Sequence, residues 1–299
     1  MRTAGHAPLL RAVTQDEIDA FWRDGFVCLR GVIPAEWIER MQVAVDAWLR
    51  SADAFDYTEF GTSVAEAAGA EVLLDPGERR GRFFNGQDHW LRSAEFRAFA
   101  QQSPLVEITA RLLRATKLNL YEDSILVKQP GTLEKTAFHQ DISYFHAEGH
   151  QICTTWVPLD PVRVETGTLK FIPGSHLWKK KYRPNFFVTE LLIPDTEGDA
   201  VPDFHKGNRS KDVVSFDMEP GDMTVHHART IHGADGNASA DYQRRAISIR
   251  YCGDDARYRI RKGVPLKPHH RDVSEGDVLD HPDCPLVWPF RHQRSRAGP

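Results

Sequence analysis

The chain has 299 residues, room for one large domain or two small ones at roughly 100–200 residues each. Lysine and arginine total 38 against 42 aspartates and glutamates, and the formal charge of −4 supplies no global attraction to nucleic acid or to an anionic membrane. At 41% hydrophobic and 27% charged residues the composition is that of a folded globular protein, and no apolar run approaches the ~20 residues of a spanning helix. Arg11 interrupts the first apolar stretch too early for a secretory leader. Cys28, Cys153, Cys252 and Cys284 lie far apart without CxxC spacing, so unpaired, mostly buried thiols in a cytoplasmic protein are expected.

Thr14 and Glu17 form a capping-box pattern ahead of Ile18, Phe21 and Trp22, which predicts a helix that Gly25 stops. Pro34 opens a second helix with Ile38, Met41, Val45 and Trp48 on one face. Residues 51–90 read as irregular, and Arg79, Arg80 and Arg82 within them as a solvated basic cluster. A third helix begins at Ser103-Pro104 and carries Leu105, Ile108 and Leu112 on a face.

From about residue 118 the pattern changes to short apolar or alternating runs at 121–127, 138–145, 152–158, 168–172, 223–226 and 246–251, separated by Pro, Gly and Asp. Such punctuation predicts a mainly β fold with flanking α: a jelly-roll core of the double-stranded β-helix, cupin-like kind, with N-terminal helices. No Pro/Ser/Gly-rich linker divides the chain. A single domain is expected, helical over about 1–117, jelly-roll over about 118–252, with a C-terminal extension over 253–299.

Within Phe138-His139-Gln140-Asp141, a strand period of two places His139 and Asp141 on one face. His232 offers a third ligand that a folded sandwich can bring alongside. Two imidazoles and a carboxylate on one octahedral face are the ligand set of non-haem Fe(II) oxygenases, because the opposite positions stay open for a co-substrate and O2. An HxD tripeptide is weak evidence alone in a chain with 14 histidines. Its weight comes from Arg244, at the start of an alternating strand twelve positions after His232, whose planar fork of donors matches the distal end of a dicarboxylate.

Other readings stand beside this one. His226 or His227 competes as a ligand, although strand packing explains both. Gly174-Ser175-His176 reads as a tight turn, and His269 and His270 as surface residues. Lys179-Lys180-Lys181 is either a solvated loop or a basic pocket mouth that attracts an anionic substrate. Phe83, Tyr121, Phe138 and Tyr144 are pocket-lining candidates or ordinary core.

Residues 121–251 resemble the phytanoyl-CoA dioxygenase family of Fe(II)- and 2-oxoglutarate-dependent oxygenases. The matching segments are 124–131, Phe138-His-Gln-Asp141, Trp156-Val-Pro-Leu, 167–176, Pro220-Gly-Asp222, His232-Gly-Ala and the strand from Arg244; Asp24-Gly25-Phe26 after a helix also resembles the family's opening. The resemblance implies that His139, Asp141 and His232 hold the iron, that Arg244 receives the remote carboxylate of 2-oxoglutarate, and that Lys128 and Trp156 line the co-substrate pocket. It implies hydroxylation of an unactivated C–H bond in a small-molecule metabolite, using Fe(II), 2-oxoglutarate and O2 and releasing succinate and CO2. Related halogenases carry a small residue where this chain has Asp141, which points to hydroxylation, with desaturation and ring formation left open. Two departures concern the site: Ala234 replaces a hydroxyl residue common in relatives, and a loop one residue longer leaves Arg245 competing with Arg244. Against the oxygenase stand two other classes, a non-catalytic jelly-roll metal-binding or regulatory protein and a cupin-like metal-dependent hydrolase or isomerase. The expected partner is a small-molecule substrate, with no nucleic acid and no membrane; the oligomeric state is not legible.

Overall fold

The structure, a computed structural model, describes residues 7–205 and 212–289. Helix α1 (Gln15–Asp24) starts where the capping box predicts. The Thr14 hydroxyl accepts from the Glu17 amide at 3.2 Å, and the Glu17 carboxylate accepts from the Thr14 amide at 2.8 Å. It stops at Gly25, whose φ of +87° suits glycine; a Cβ there would lie 2.4 Å from His176 Nδ1 and 2.5 Å from Thr230 Oγ1. Strand β1 (Phe26–Leu29) follows, then α2 (Ala35–Leu49), which buries Trp37, Ile38, Met41, Val45 and Trp48.

Residues 51–90 are more ordered than their sequence suggests. They hold β2 (Phe55–Asp56), α3 (Tyr57–Ala68) and β3 (Phe83–Gln87). Asp56 caps α3 by accepting from the Thr58 and Glu59 amides, but the helix buries only Thr58, Gly61 and Ala65, so no large apolar stripe marks it. The basic cluster here is partly paired: Arg79 with buried Glu134 at 2.6 Å and Arg82 with Asp56 at 2.5 Å.

Helices α4 (Ala94–Gln102) and α5 (Leu105–Leu112) precede the strands β4 (Leu118–Lys128), β5 (Thr136–His139), β6 (Ala147–Glu148), β7 (Ile152–Pro158), β8 (Leu169–Phe171), β9 (Val214–Ser215), β10 (Met223–His227), β11 (His232–Ala234), β12 (Arg244–Cys252), β13 (Arg257–Tyr258) and β14 (Leu286–Trp288). The run at 138–145 is not one strand. It ends at His139, and Asp141–Ser143 form a 3-10 turn.

The larger sheet has the order β1-β10-β7-β12-β4-β3-β2, with β14 also paired to β4; the smaller is β5-β11-β8-β9, and β13 pairs with β6. Neighbouring strands run antiparallel. The outer face of the larger sheet supplies Val157, Val225, Ile247, Ile249 and Tyr251 to a core shared with α1, α2, α4 and α5, including Phe21, Met41, Phe99 and Leu105. Its inner face meets the smaller sheet in a second cluster containing Phe26, Leu126, Trp156, Ala246, Leu169 and Phe171. This is the double-stranded β-helix sandwich with helices against one face. All four cysteines are free and only Cys28 is partly exposed. Among the described residues, no helix is long and apolar enough to cross a membrane.

Candidate metal centre

Pleating divides each inner strand between two tasks. On β12, Arg244, Ala246, Ser248 and Arg250 point between the sheets, while Arg245, Ile247 and Ile249 point at the helices. Register then aligns Glu122 of β4, Arg250 of β12, Thr154 of β7 and His226 of β10 as one polar row across the inner face. Over this row sits Asp141. One of its oxygens, Oδ2, accepts a short hydrogen bond from the Thr154 hydroxyl and lies 3.2 Å from His226 Nε2.

The other oxygen faces two imidazoles. Asp141 Oδ1 is 3.4 Å from His139 Nε2 and 3.7 Å from His232 Nε2, and the three residues are only 1–5% exposed. His139 and His232 are register partners of β5 and β11, their ring centroids 4.3 Å apart. Each ring is oriented through its far nitrogen: His139 Nδ1 is 2.8 Å from the Ala137 carbonyl, and His232 Nδ1 is 3.0 Å from that of Thr230. A carbonyl only accepts, so both Nδ1 atoms carry a proton, and in the neutral ring both Nε2 atoms present lone pairs. His139 Nε2 is buried without a hydrogen-bond partner.

Three acceptor atoms thus converge with no hydrogen between them, each within 4.8 Å of the others. Burial alone would raise the Asp141 carboxyl, but the imidazoles of His232, His139 and His226 hold it well below the ordinary carboxylate range. Burial, reinforced by the neighbouring rings of His226 and His139, pushes His232 well below the usual imidazole value. Such a set repels itself unless a cation lies between, and two neutral imidazoles with one carboxylate suit Fe(II).

Arg244 and Trp156 line the same pocket, which encloses about 30 Å3. The Arg244 guanidinium lies 5.7 Å from the Trp156 ring centroid, its Nε is buried without a partner, and burial pushes its pKa down to about 10. Arg245 is turned the other way, into ion pairs with Asp160 at 2.6 Å and with Asp46 of α2 at 2.8 Å. Lys128 pairs with Arg244 in register, but its ammonium donates to the Glu134 and Asp235 main-chain carbonyls at 2.8 and 2.6 Å, over the Phe83 ring.

Sequence reading assigned no supporting role to Thr154, His226 (weighed there only as a competing ligand), Arg250 or Phe187, all of which line this pocket. The first three follow from extending the inner-face alternation of β7, β10 and β12. Phe187 sits in the irregular segment after β8, where no periodicity points to it. Its φ is +70°, uncommon for an aromatic residue, and the conformation is pinned because its amide donates to Asn185 Oδ1 at 3.0 Å and its carbonyl accepts from the Ala137 amide at 2.7 Å. Its ring lies 4.9 Å from that of His139. Phe83, Tyr121, Phe138 and Tyr144 do not line this pocket; Tyr144 touches it only edge-on, 5.6 Å from the His139 ring. His227 packs against Phe21 and Trp22, and Gly174-Ser175-His176 is the expected turn, with Gly174 at φ +69°. His269 and His270 are not surface residues: they are 3% and 5% exposed, packed on each other and near Tyr258.

The sequence profile of the family described as phytanoyl-CoA dioxygenase (PhyH) matches residues 21–246, about three quarters of the chain and the whole stretch that carries the triad and Arg244. The chain belongs to the phytanoyl-CoA dioxygenase family. It is an Fe(II)- and 2-oxoglutarate-dependent oxygenase. A bovine relative, phytanoyl-CoA dioxygenase domain-containing protein 1 of Bos taurus, is 27% identical over 273 residues, spanning 80% of this chain and 90% of its own. The fold is similar to that of the non-heme alpha ketoglutarate dependent carbocyclase SnoK from nogalamycin biosynthesis, with a TM-score of 0.66 and 23% identity over 95% of this chain and all of the other. It is also similar to the epimerase SnoN in complex with Fe3+, alpha ketoglutarate and nogalamycin RO, with a TM-score of 0.65 and 24% identity over 91% of this chain and 98% of the other.

Proposed function

We propose that His139 and His232, through Nε2, and Asp141, through Oδ1, hold Fe(II), and that the enzyme hydroxylates an unactivated C–H bond of a small-molecule metabolite. The observation that carries this reading is the meeting of three buried lone-pair atoms with no proton among them. When bound, the iron with 2-oxoglutarate and O2 supplies the oxidising power, and the co-substrate leaves as succinate and CO2.

The chain's own contribution is placement and charge. Thr154 and His226 occupy Oδ2 of Asp141, which leaves Oδ1 as the oxygen free to ligate. Arg244, buried without a carboxylate of its own, takes the distal carboxylate of 2-oxoglutarate; Trp156 forms the wall beneath it and Lys128 lies beside it in register on β4. Phe187 stands over His139 at the partly exposed side of the pocket, where it limits the shape of what reaches the metal.

Anaerobic titration tests the reading. Apo-protein given Fe(II) and 2-oxoglutarate is expected to develop a visible charge-transfer band that Asp141→Ala lacks, and in air it releases succinate. A spectrum indifferent to both additions sinks the proposal. Product mass then separates outcomes, because hydroxylation adds an oxygen, ring formation or desaturation removes two hydrogens, and epimerisation changes neither.

A further inference from the structure

His139 closes β5, Asp141 follows it and His232 opens β11, so the triad occupies one end of the sandwich. A second cavity, of about 250 Å3, opens at that end. Its walls are the turn that carries Asp141, the end of β6, the β10–β11 turn and the segments after β8 and β12, and Gln140 ties the first of these to the β10–β11 turn by donating to the Arg229 carbonyl at 2.6 Å.

Six cationic side chains line it: Lys180, Lys181, Arg229, Arg259, Arg261 and Lys262. Glu148, Glu197 and Glu275 oppose them from the lining and Asp199 pairs with Lys180 at 3.5 Å, which leaves an excess of two positive charges in a chain whose formal charge is −4. Among the described residues, most other arginines have a carboxylate at hand, as in Arg11–Glu17, Arg40–Glu95 and Arg111–Glu107. Here, among the described residues, Lys181, Arg261 and Lys262 make no ion pair. The Arg261 guanidinium donates only to the main-chain carbonyls of Phe145 and Ala147, at 2.8 and 3.0 Å, and burial lowers its pKa. Arg229 Nε is buried without a partner, and Nη2 of the same residue is 3.7 Å from Glu148, which Arg259 shares.

Like charges gathered in a concavity repel one another, and partial burial removes water that would screen them; an anion relieves both. Guanidinium forks and ammonium groups together match phosphate oxygens. The volume falls below the roughly 300–1,000 Å3 of pockets that enclose whole drug-sized ligands, so it suits a headgroup.

We propose that this cavity binds the phosphate or diphosphate group of an anionic small molecule, and that the group belongs to the substrate, remote from its reacting C–H bond. The second half rests on the oxygenase reading; the first does not.

Calorimetric titration of the metal-free protein with pyrophosphate reads the cavity without iron, 2-oxoglutarate or substrate. Saturable binding at one site is expected, weakening as salt rises. The double variant Lys181→Glu/Lys262→Glu, at exposed positions, is expected to bind at least about tenfold more weakly, and Glu197→Gln more tightly than the wild type. No binding by the wild type, or equal binding by the folded charge-reversed protein, overturns the site. Succinate release by the wild type in air is measured separately, so failure of the oxygenase reading is told apart from failure of the cavity. Phosphorylated metabolites that stimulate succinate release above their dephosphorylated forms assign the anion to the substrate. Pyrophosphate binding without that difference makes it a free ligand and overturns the assignment.

Discussion

Arg244 and Arg245 are adjacent in the chain and opposite in the fold: the first points into the metal pocket with its Nε unpartnered, the second out to Asp160 and Asp46. The strand begins early enough for period-two alternation to decide between them. Arg244→Ala is expected to weaken 2-oxoglutarate binding by about 2–4 kcal/mol, roughly 30- to 1,000-fold, with metal affinity unchanged. Arg245→Ala is expected to leave co-substrate affinity alone and to lower stability by about 1–3 kcal/mol, because Asp160 loses its partner. Binding titrations and urea unfolding of both variants check the pair, and the reverse pattern would place the carboxylate on the wrong arginine.

Asp141 is held by its non-ligating oxygen. Removing one of its two donors, by His226→Ala or Thr154→Val, frees the carboxylate to rotate, and a loss of about 10–100-fold in metal affinity is expected. Titration with Co(II) in the absence of 2-oxoglutarate measures this directly. Affinity equal to wild type in both variants would show that the two donors do not position the ligand.

Several buried histidines are neutral in the folded protein for want of solvent. Burial pushes His269 down to about 4, and His270 and His227 to about 3, from an ordinary 6.5; the neighbours His281, His146 and His176 respectively add to the effect. Unfolding releases these rings to protonate at their ordinary value, so the unfolded state binds more protons below pH 6.5. The stability they contribute is complete above that pH and declines as pH falls through 6.5 toward 4 and 3. Urea midpoints are expected to be lower at pH 5 than at pH 7.5, and a midpoint constant across that interval contradicts the assignment.

Gly25 joins the helix layer to the metal end. It carries the left-handed turn that stops α1, and its carbonyl accepts from Thr230 Oγ1 at 2.7 Å and from the His227 amide at 2.8 Å, close before His232. Gly25→Ala strains the turn and drives a methyl into His176 and Thr230. A loss of about 2–4 kcal/mol is expected in chemical unfolding. A variant as stable as the parent would mean that the turn relaxes freely.

Local signals carried much of this into the sequence. The Thr14–Glu17 box, the apolar stripe of α2 and the runs that became β4, β7, β10 and β12 each have a short-range cause, and all are found close to where their patterns lie. Helix α3 escaped because its buried residues are small, and the 3-10 turn at Asp141 escaped because an alternating run does not show where a strand ends. His139, Asp141, His232 and Arg244 could be singled out by residue type and spacing. The polar row of Glu122, Arg250, Thr154 and His226 could not, because it exists only through registers set by pairing four strands distant along the chain. Nor did composition announce the burial of His269 and His270, which depends on packing against His146 and against Tyr258 and His281 after β12.

The division of labour along β12 also bears on how such an enzyme changes over time. A change at Ser248 redraws the wall of the pocket, while Ile247 and Ile249 continue to anchor the strand to the helices and Ala246 to fill the inner core. One strand thus keeps the position that shapes the pocket wall apart from those that hold the scaffold together, so that the first can change while the others stay.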